Sequence, residues 1–180
     1  MNPIAVVPYD PLWPQAYAAA SGEIATAMGT NLLEIHHIGS TAIPGIHAKP
    51  VIDMLGIASD LMTVDQRTAQ MKSLGYEAMG EFGISGRRYF RRDNANGQRT
   101  HQLHTFQLGS PDIQRHLDFR DYLRAHPELA NQYARLKREL AATYSNDMEA
   151  YMDGKDGFIK EMESQALAWS AARGGDPSSF

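Results

Sequence analysis

The sequence predicts an α+β domain, a mixed β-sheet with flanking helices followed by a C-terminal helical segment. Three observations lead there. Short runs rich in branched and aromatic residues recur between Leu32 and Leu108, separated by Gly, Pro, Asn and Asp. After Gly109 the apolar residues recur every three or four positions instead. The chain has 180 residues, 43% of them hydrophobic, which suits one domain with a substantial core.

The elements follow in order. Asp10 can cap a helix running to Met28, with Pro11 in its first turn and Leu12, Trp13, Tyr17, Ala20, Ile24 and Met28 as its apolar stripe. Gly29 ends it. Leu32 to Ile38 and Val51 to Ile57 read as strands. Thr63 is the expected cap of a helix reaching Ser73, and Tyr76 to Met79 starts another strand. Arg87 to Arg92 and His101 to Leu108 form a hairpin around the turn residues DNANG, 93–97. Helices then start at Ser110–Pro111, at Pro127 and near Asp147, the last running to Trp169 with Gly154 and Gly157 expected to bend or split it. The helical stripes demand a packing partner, so residues 1–173 read as a single domain, with a sheet-rich core about 30–109, a helical part 110–173 and a mobile tail 174–180.

Composition narrows the function classes. A net charge of −4 argues against broad binding to nucleic acid or anionic membranes. The absence of cysteine excludes disulfides, cysteine nucleophiles, thiolate zinc sites and Fe–S clusters. The opening stretch lacks a basic segment followed by an apolar core, and no run has the length of a membrane span. A cytoplasmic protein is expected.

The chemistry gathers around HHIGSTAIPGIHAKPVIDML, residues 36–55. Gly39 follows a strand and gives the backbone room. Ser40 and Thr41 bring hydroxyls and amides that can hold phosphate where they converge, and Lys49 can add positive charge. Asp53 interrupts an apolar strand, where a carboxylate is costly unless it reaches the sheet's end, a partner or a metal. A metal–phosphate site and a satisfied structural network both meet these needs.

Several stretches together resemble the GrpB family: YDPLWP at 9–14, HIGSTAIPGIHAKPVIDML at 37–55, GEFGISGRRYFRR at 80–92, HQLHTF at 101–106, FRDYLRAHPELANQYARLK at 119–137 and DGFI at 156–159. The resemblance covers roughly residues 5 to 165. It implies a nucleotidyltransferase-like fold, in a family largely uncharacterised and sometimes fused to dephospho-coenzyme A kinase. In that wider fold a Gly-Ser turn holds a triphosphate, and carboxylates bind magnesium that aligns an attacking hydroxyl. The resemblance sets Gly39 and Ser40 in the turn and Asp53 at the first acidic position. The second acidic position is Leu55, which cannot bind a hard cation.

Other residues are weighed beside these. Strand alternation puts Arg87, Tyr89 and Arg91 on one face and Arg88, Phe90 and Arg92 on the other. Arg88 or Arg91 is a candidate for phosphate; a solvated edge strand is the plainer reading. His101 and His104 have opposite parity, whereas Gln102, His104 and Phe106 share a face. His37, Asp53 and His104 could converge on a metal, with Glu81 as a further ligand; magnesium, manganese and zinc are the ions considered. His104 is also the candidate base. Arg120 can reach the sheet cleft, and Tyr133 and Lys137 share a helix face, the tyrosine toward the core and the lysine exposed. The leading expectation is a metal-dependent nucleotidyl or phosphoryl transferase acting on a small molecule. The alternatives are a non-catalytic module binding a nucleotide or phosphorylated metabolite, and a scaffold; a homodimer is compatible with each.

Overall fold

The computed structural model describes residues 4–174, so the tail expected at 174–180 lies outside the described residues from residue 175 on. Helix α1 spans Trp13–Met28. The Asp10 carboxylate does accept an amide hydrogen bond, from Leu12 at 2.9 Å, but the helix begins after it, with Pro14 in the first turn. Trp13, Ala20, Ile24 and Met28 are buried at helical spacing, and Gly29, with φ of 65°, turns the chain out of the helix.

Strand β1 is Leu32–Ile38, β2 is Ile52–Ala58, β3 is Glu77–Ala78, β4 is Arg87–Asp93 and β5 is Arg99–Gln107. They form one sheet in the order β1-β2-β5-β4-β3. Only β2 and β5 are parallel; the other pairs are antiparallel, which makes the sheet mixed. Between β2 and β3 the expected single helix is two short ones, α2 (Leu61–Gln66) and α3 (Thr68–Ser73). The cap is Asp60, not Thr63: its carboxylate accepts from the Thr63 amide at 2.7 Å and from the Thr63 hydroxyl at 2.6 Å.

After β5 come α4 (Pro111–Ala125), α5 (Pro127–Thr143) and α6 (Met148–Ala172). Helix α6 is unbroken through Gly154 and Gly157. Gly154 serves close packing instead, because a Cβ there would lie 2.4 Å from Leu140 of α5.

The sheet separates two layers. Met54, Ala58, Phe90 and Leu103 face α1 and α3 in one core. Ile38, Leu55, Ile57 and Phe106 face the other way, against Ile113 and Leu117 of α4. A third cluster ties the segment after β1 to the helices: Ile43 and Ile46 pack with Leu123 of α4, Ala130 and Tyr133 of α5, and Met162 and Ala166 of α6. Leu123 is fully buried there. Replacing it with alanine is expected to cost about 2–5 kcal/mol, seen as a lower urea midpoint at an unchanged slope.

Candidate functional site

The antiparallel pairing of β1 and β2 sets Ile38 opposite Asp53, so the end of one strand meets the start of the next. Gly39 leaves β1 with φ of 71° and ψ of −172°, a conformation reserved for glycine. A Cβ at Gly39 would lie 2.8 Å from Asp53 Oδ2 and 2.9 Å from Asp53 Cβ. The glycine thus lets the carboxylate lie directly against the turn. Ser40–Ala42 form one turn of 3-10 helix beyond it.

The turn is braced from behind. The buried Thr41 hydroxyl donates to the Val51 carbonyl at 3.1 Å, so it accepts the Nε2–H of His37 at 2.9 Å. His37 stacks on Tyr17 with ring centres 4.8 Å apart. Burial first, and then Arg124, push its pKa down to about 4. His37 pairs with Met54, on the sheet face opposite Asp53, and so does not converge with that carboxylate. From α4, Arg120 Nη1 donates to the His37 carbonyl at 3.2 Å and Arg124 Nε to the Ala42 carbonyl at 2.9 Å. Arg120 acts as a clamp on the backbone of the turn.

Asp53 and His104 do meet. His104 Nε2 lies 3.3 Å from Asp53 Oδ1. On its other side, His104 Nδ1 lies 3.3 Å from Arg87 Nη1. A guanidinium only donates, so Nδ1 accepts and the imidazole proton sits on Nε2, directed at Asp53. Arg87 is buried and fixed by the carbonyls of Glu81 at 3.1 Å and Phe82 at 2.7 Å. Both nitrogens of His104 are engaged, which makes it a holder of Asp53 rather than a free base.

The other anticipated residues lie elsewhere. The Glu81 carboxylate accepts from the Gly86 amide at 2.8 Å, and only its carbonyl reaches toward the site, through Arg87. Arg88 makes a two-point pair with Asp65 at 2.6 and 3.0 Å on the opposite face. Arg91 shares the face of His104 but pairs with Glu77 at 2.6 Å beside edge strand β3. Leu55 is fully buried. Among the described residues no three His, Cys, Asp or Glu side chains are grouped to hold a metal ion. With Leu55 apolar and His104 presenting a proton, a divalent cation would find one suitable donor here, the Asp53 carboxylate. The donor set does not fit a two-magnesium centre.

Lysines surround the turn instead. Lys137, read from sequence as exposed, is 2% exposed. Its tyrosine neighbour Tyr133 is buried, and the ammonium follows it inward to lie 4.4 Å from that ring's centre. Lys137 Nζ donates to Ser40 Oγ at 2.7 Å and to the His47 carbonyl at 3.0 Å. Burial, and secondarily Lys155, push its pKa down to about 7. Lys49 and Lys155 lie 6.0 and 5.0 Å from the centre of the Tyr151 ring. Burial lowers both pKa values, while the Asp53 charge pulls each the other way. None of these lysines makes an ion pair with a carboxylate among the described residues. From sequence Arg87 was placed on its strand face and Lys137 was read as exposed, neither as a site residue, and Lys155 was not considered. A signal existed for the lysines: Tyr133–Lys137 and Tyr151–Lys155 repeat the same four-residue step on two helices.

The family model described as GrpB protein matches residues 3–165. The chain is 42% identical over 170 residues to UPF0157 protein YqkA of Bacillus subtilis, covering 94% of this chain and 49% of that protein. It thus spans about half the length of that relative. Among solved structures, conserved protein GrpB from Enterococcus faecalis superposes with a TM-score of 0.87 at 40% identity, covering 91% of this chain and 98% of that one. Cid1 in complex with its short product ApU superposes with a TM-score of 0.53 at 12% identity, over 86% of this chain and 48% of that one. At that distance the likeness is one of fold, the nucleotidyltransferase-like fold.

Gly39→Ala is expected to cost about 1–3 kcal/mol from backbone strain, before any displacement of Asp53, and is checked by chemical denaturation. Acid should destabilise the protein in a defined window. His37 and His101 are held down near pKa 4 and His116 near 3, chiefly by burial, against 6.5 for a free histidine. Between those values the unfolded chain binds more protons, so stability is full above pH 6.5 and falls as pH drops toward 4. Thermal midpoints of the parent and of His116→Gln across this range should show a shallower decline in the variant.

Proposed function

The chain belongs to the GrpB family, and on that premise we propose that it binds the phosphate of a nucleotide or other phosphorylated small molecule at the Gly39–Ser40 turn. One observation carries the reading. A buried ammonium, Lys137, spends its hydrogen bonds on the hydroxyl of Ser40 and one carbonyl, with no carboxylate among the described residues to balance it. A buried cation without a counterion is expensive. An anion seated on Ser40 would supply one and would draw the lysine back to its charged form.

Transfer of a nucleotidyl or phosphoryl group is the second reading, favoured by the carboxylate that His104 holds beside the turn. In it Asp53 accepts the proton of an acceptor hydroxyl. The acceptor oxygen forms a bond to phosphorus while the bond to the leaving phosphate oxygen breaks, and Lys137 meets the charge that develops on the leaving group. The match of Cid1 in fold is compatible with this chemistry and supplies none of its residues.

Isothermal calorimetry against a panel of nucleotides and phosphorylated metabolites tests the binding. Ser40→Ala is expected to weaken it by about three- to tenfold. Affinity should decline as pH rises through about 7, where Lys137 loses its proton. In a transfer assay Asp53→Asn should abolish turnover yet keep ligand binding; a folded Asp53→Asn protein with undiminished turnover would overturn the transfer reading.

A further inference from the structure

The lysine cluster and the poor metal donor set belong together. We infer that the site takes an oligophosphate, either inorganic or the di- or triphosphate of a nucleotide, with the ammoniums of Lys49, Lys137 and Lys155 as its countercharge in place of a divalent cation. This rests on the reading that phosphate sits at Ser40.

The need for countercharge comes first. An oligophosphate carries several negative charges, which a two-metal centre would neutralise through paired carboxylates. Here Asp53 is the one carboxylate at the turn among the described residues, Leu55 occupies the next position on its face, and Arg87 holds His104 with its Nε2 proton directed at Asp53. Positive charge is nonetheless present. Lysines come from three parts of the chain: Lys49 from the segment before β2, Lys137 from α5 at Ser40, and Lys155 from α6, with Lys49 and Lys155 in the field of the Asp53 carboxylate. Lys137 feels the charge of Lys155, and Lys155 that of Lys49.

The cluster also has length. Lys137 serves Ser40 beside the Tyr133 ring, whereas Lys49 and Lys155 gather at a different ring, Tyr151. One phosphate can sit on Ser40 and Lys137; a second or third, linked to it, would engage the other two ammoniums at Tyr151. A separate observation points to a polar occupant. Tyr151 is fully buried and its hydroxyl has no hydrogen-bond partner among the described residues. A buried hydroxyl rarely goes unpaired, and phosphate oxygens are acceptors for it.

The test is calorimetry on the full chain with inorganic triphosphate, ATP and orthophosphate, each with excess magnesium and again with EDTA. Triphosphate and ATP are expected to bind in EDTA within about threefold of their affinity with magnesium, and orthophosphate about tenfold or more weakly. Lys49→Met and Lys155→Met should each weaken triphosphate about tenfold while leaving the thermal midpoint unmoved. A fall of more than about tenfold on removing magnesium, orthophosphate binding as tightly as triphosphate, or variants that bind like the parent would overturn this inference and leave the phosphate reading standing. ATP binding without triphosphate binding would show that base or ribose, not phosphate, is the ligand's handle and would overturn it too. Binding of no phosphate compound under either condition would overturn both.

Discussion

The site depends on the approach of Asp53 to Gly39. An acid side chain near the start of an inner strand must reach polar surroundings or lose its charge. Here it reaches them because the neighbouring strand ends in a residue with no side chain, bent into a conformation only glycine accepts. The rest of the site follows from holding that bend. Thr41 and His37 pin it from one sheet face, and the α4 arginines grip the carbonyls at either end. These contacts use backbone acceptors that strand pairing has left over, so the turn is over-determined and can bear its strain.

The site draws on both halves of the chain, so it requires both to be packed. The sheet contributes Asp53, His104 and Arg87; the helices contribute Lys137 and Lys155. The apolar cluster of Ile43, Ile46, Leu123, Tyr133 and Met162 joins them a few residues from Ser40. Tyr133 belongs to that cluster and also lies under the Lys137 ammonium. The packing that fixes the helices therefore fixes the cation as well, and the helical part completes the site.

What the residues announced and what they hid differ in kind. Strand order along the chain was legible because apolar alternation and turn chemistry are local. The two faces of the hairpin were legible for the same reason, with Arg88 and Arg91 separated as alternation requires. The meeting of Asp53 with His104 was legible from their places on adjacent strands, whereas His37, expected to join them, lies on the other sheet face. The fate of each arginine was not: Arg88 is claimed by Asp65 from another element, and no local rule predicts a partner in a distant helix. Lys137 was misjudged because lysines on amphipathic helices are ordinarily exposed. Its burial follows from the turn that docks on α5, a contact 97 residues away in sequence. The cap at Asp60 turns on side-chain hydrogen bonds that Thr63 and Asp60 could each have made.

Leu55 brings fold and chemistry into one account. It lies on the face of Asp53, in a row with Ile38, Ile57 and Phe106 that Ile113 and Leu117 of α4 cover. A second carboxylate at this position would be sealed under α4 without water, at a cost of several kcal/mol for an unpaired buried charge. Exposing it to a metal would mean lifting α4, and α4 carries the arginines that hold the turn. The covering helix and a paired-carboxylate centre are therefore incompatible in this chain. Its positive charge enters from α5, from α6 and from Lys49 before β2, which leave α4 seated on the sheet.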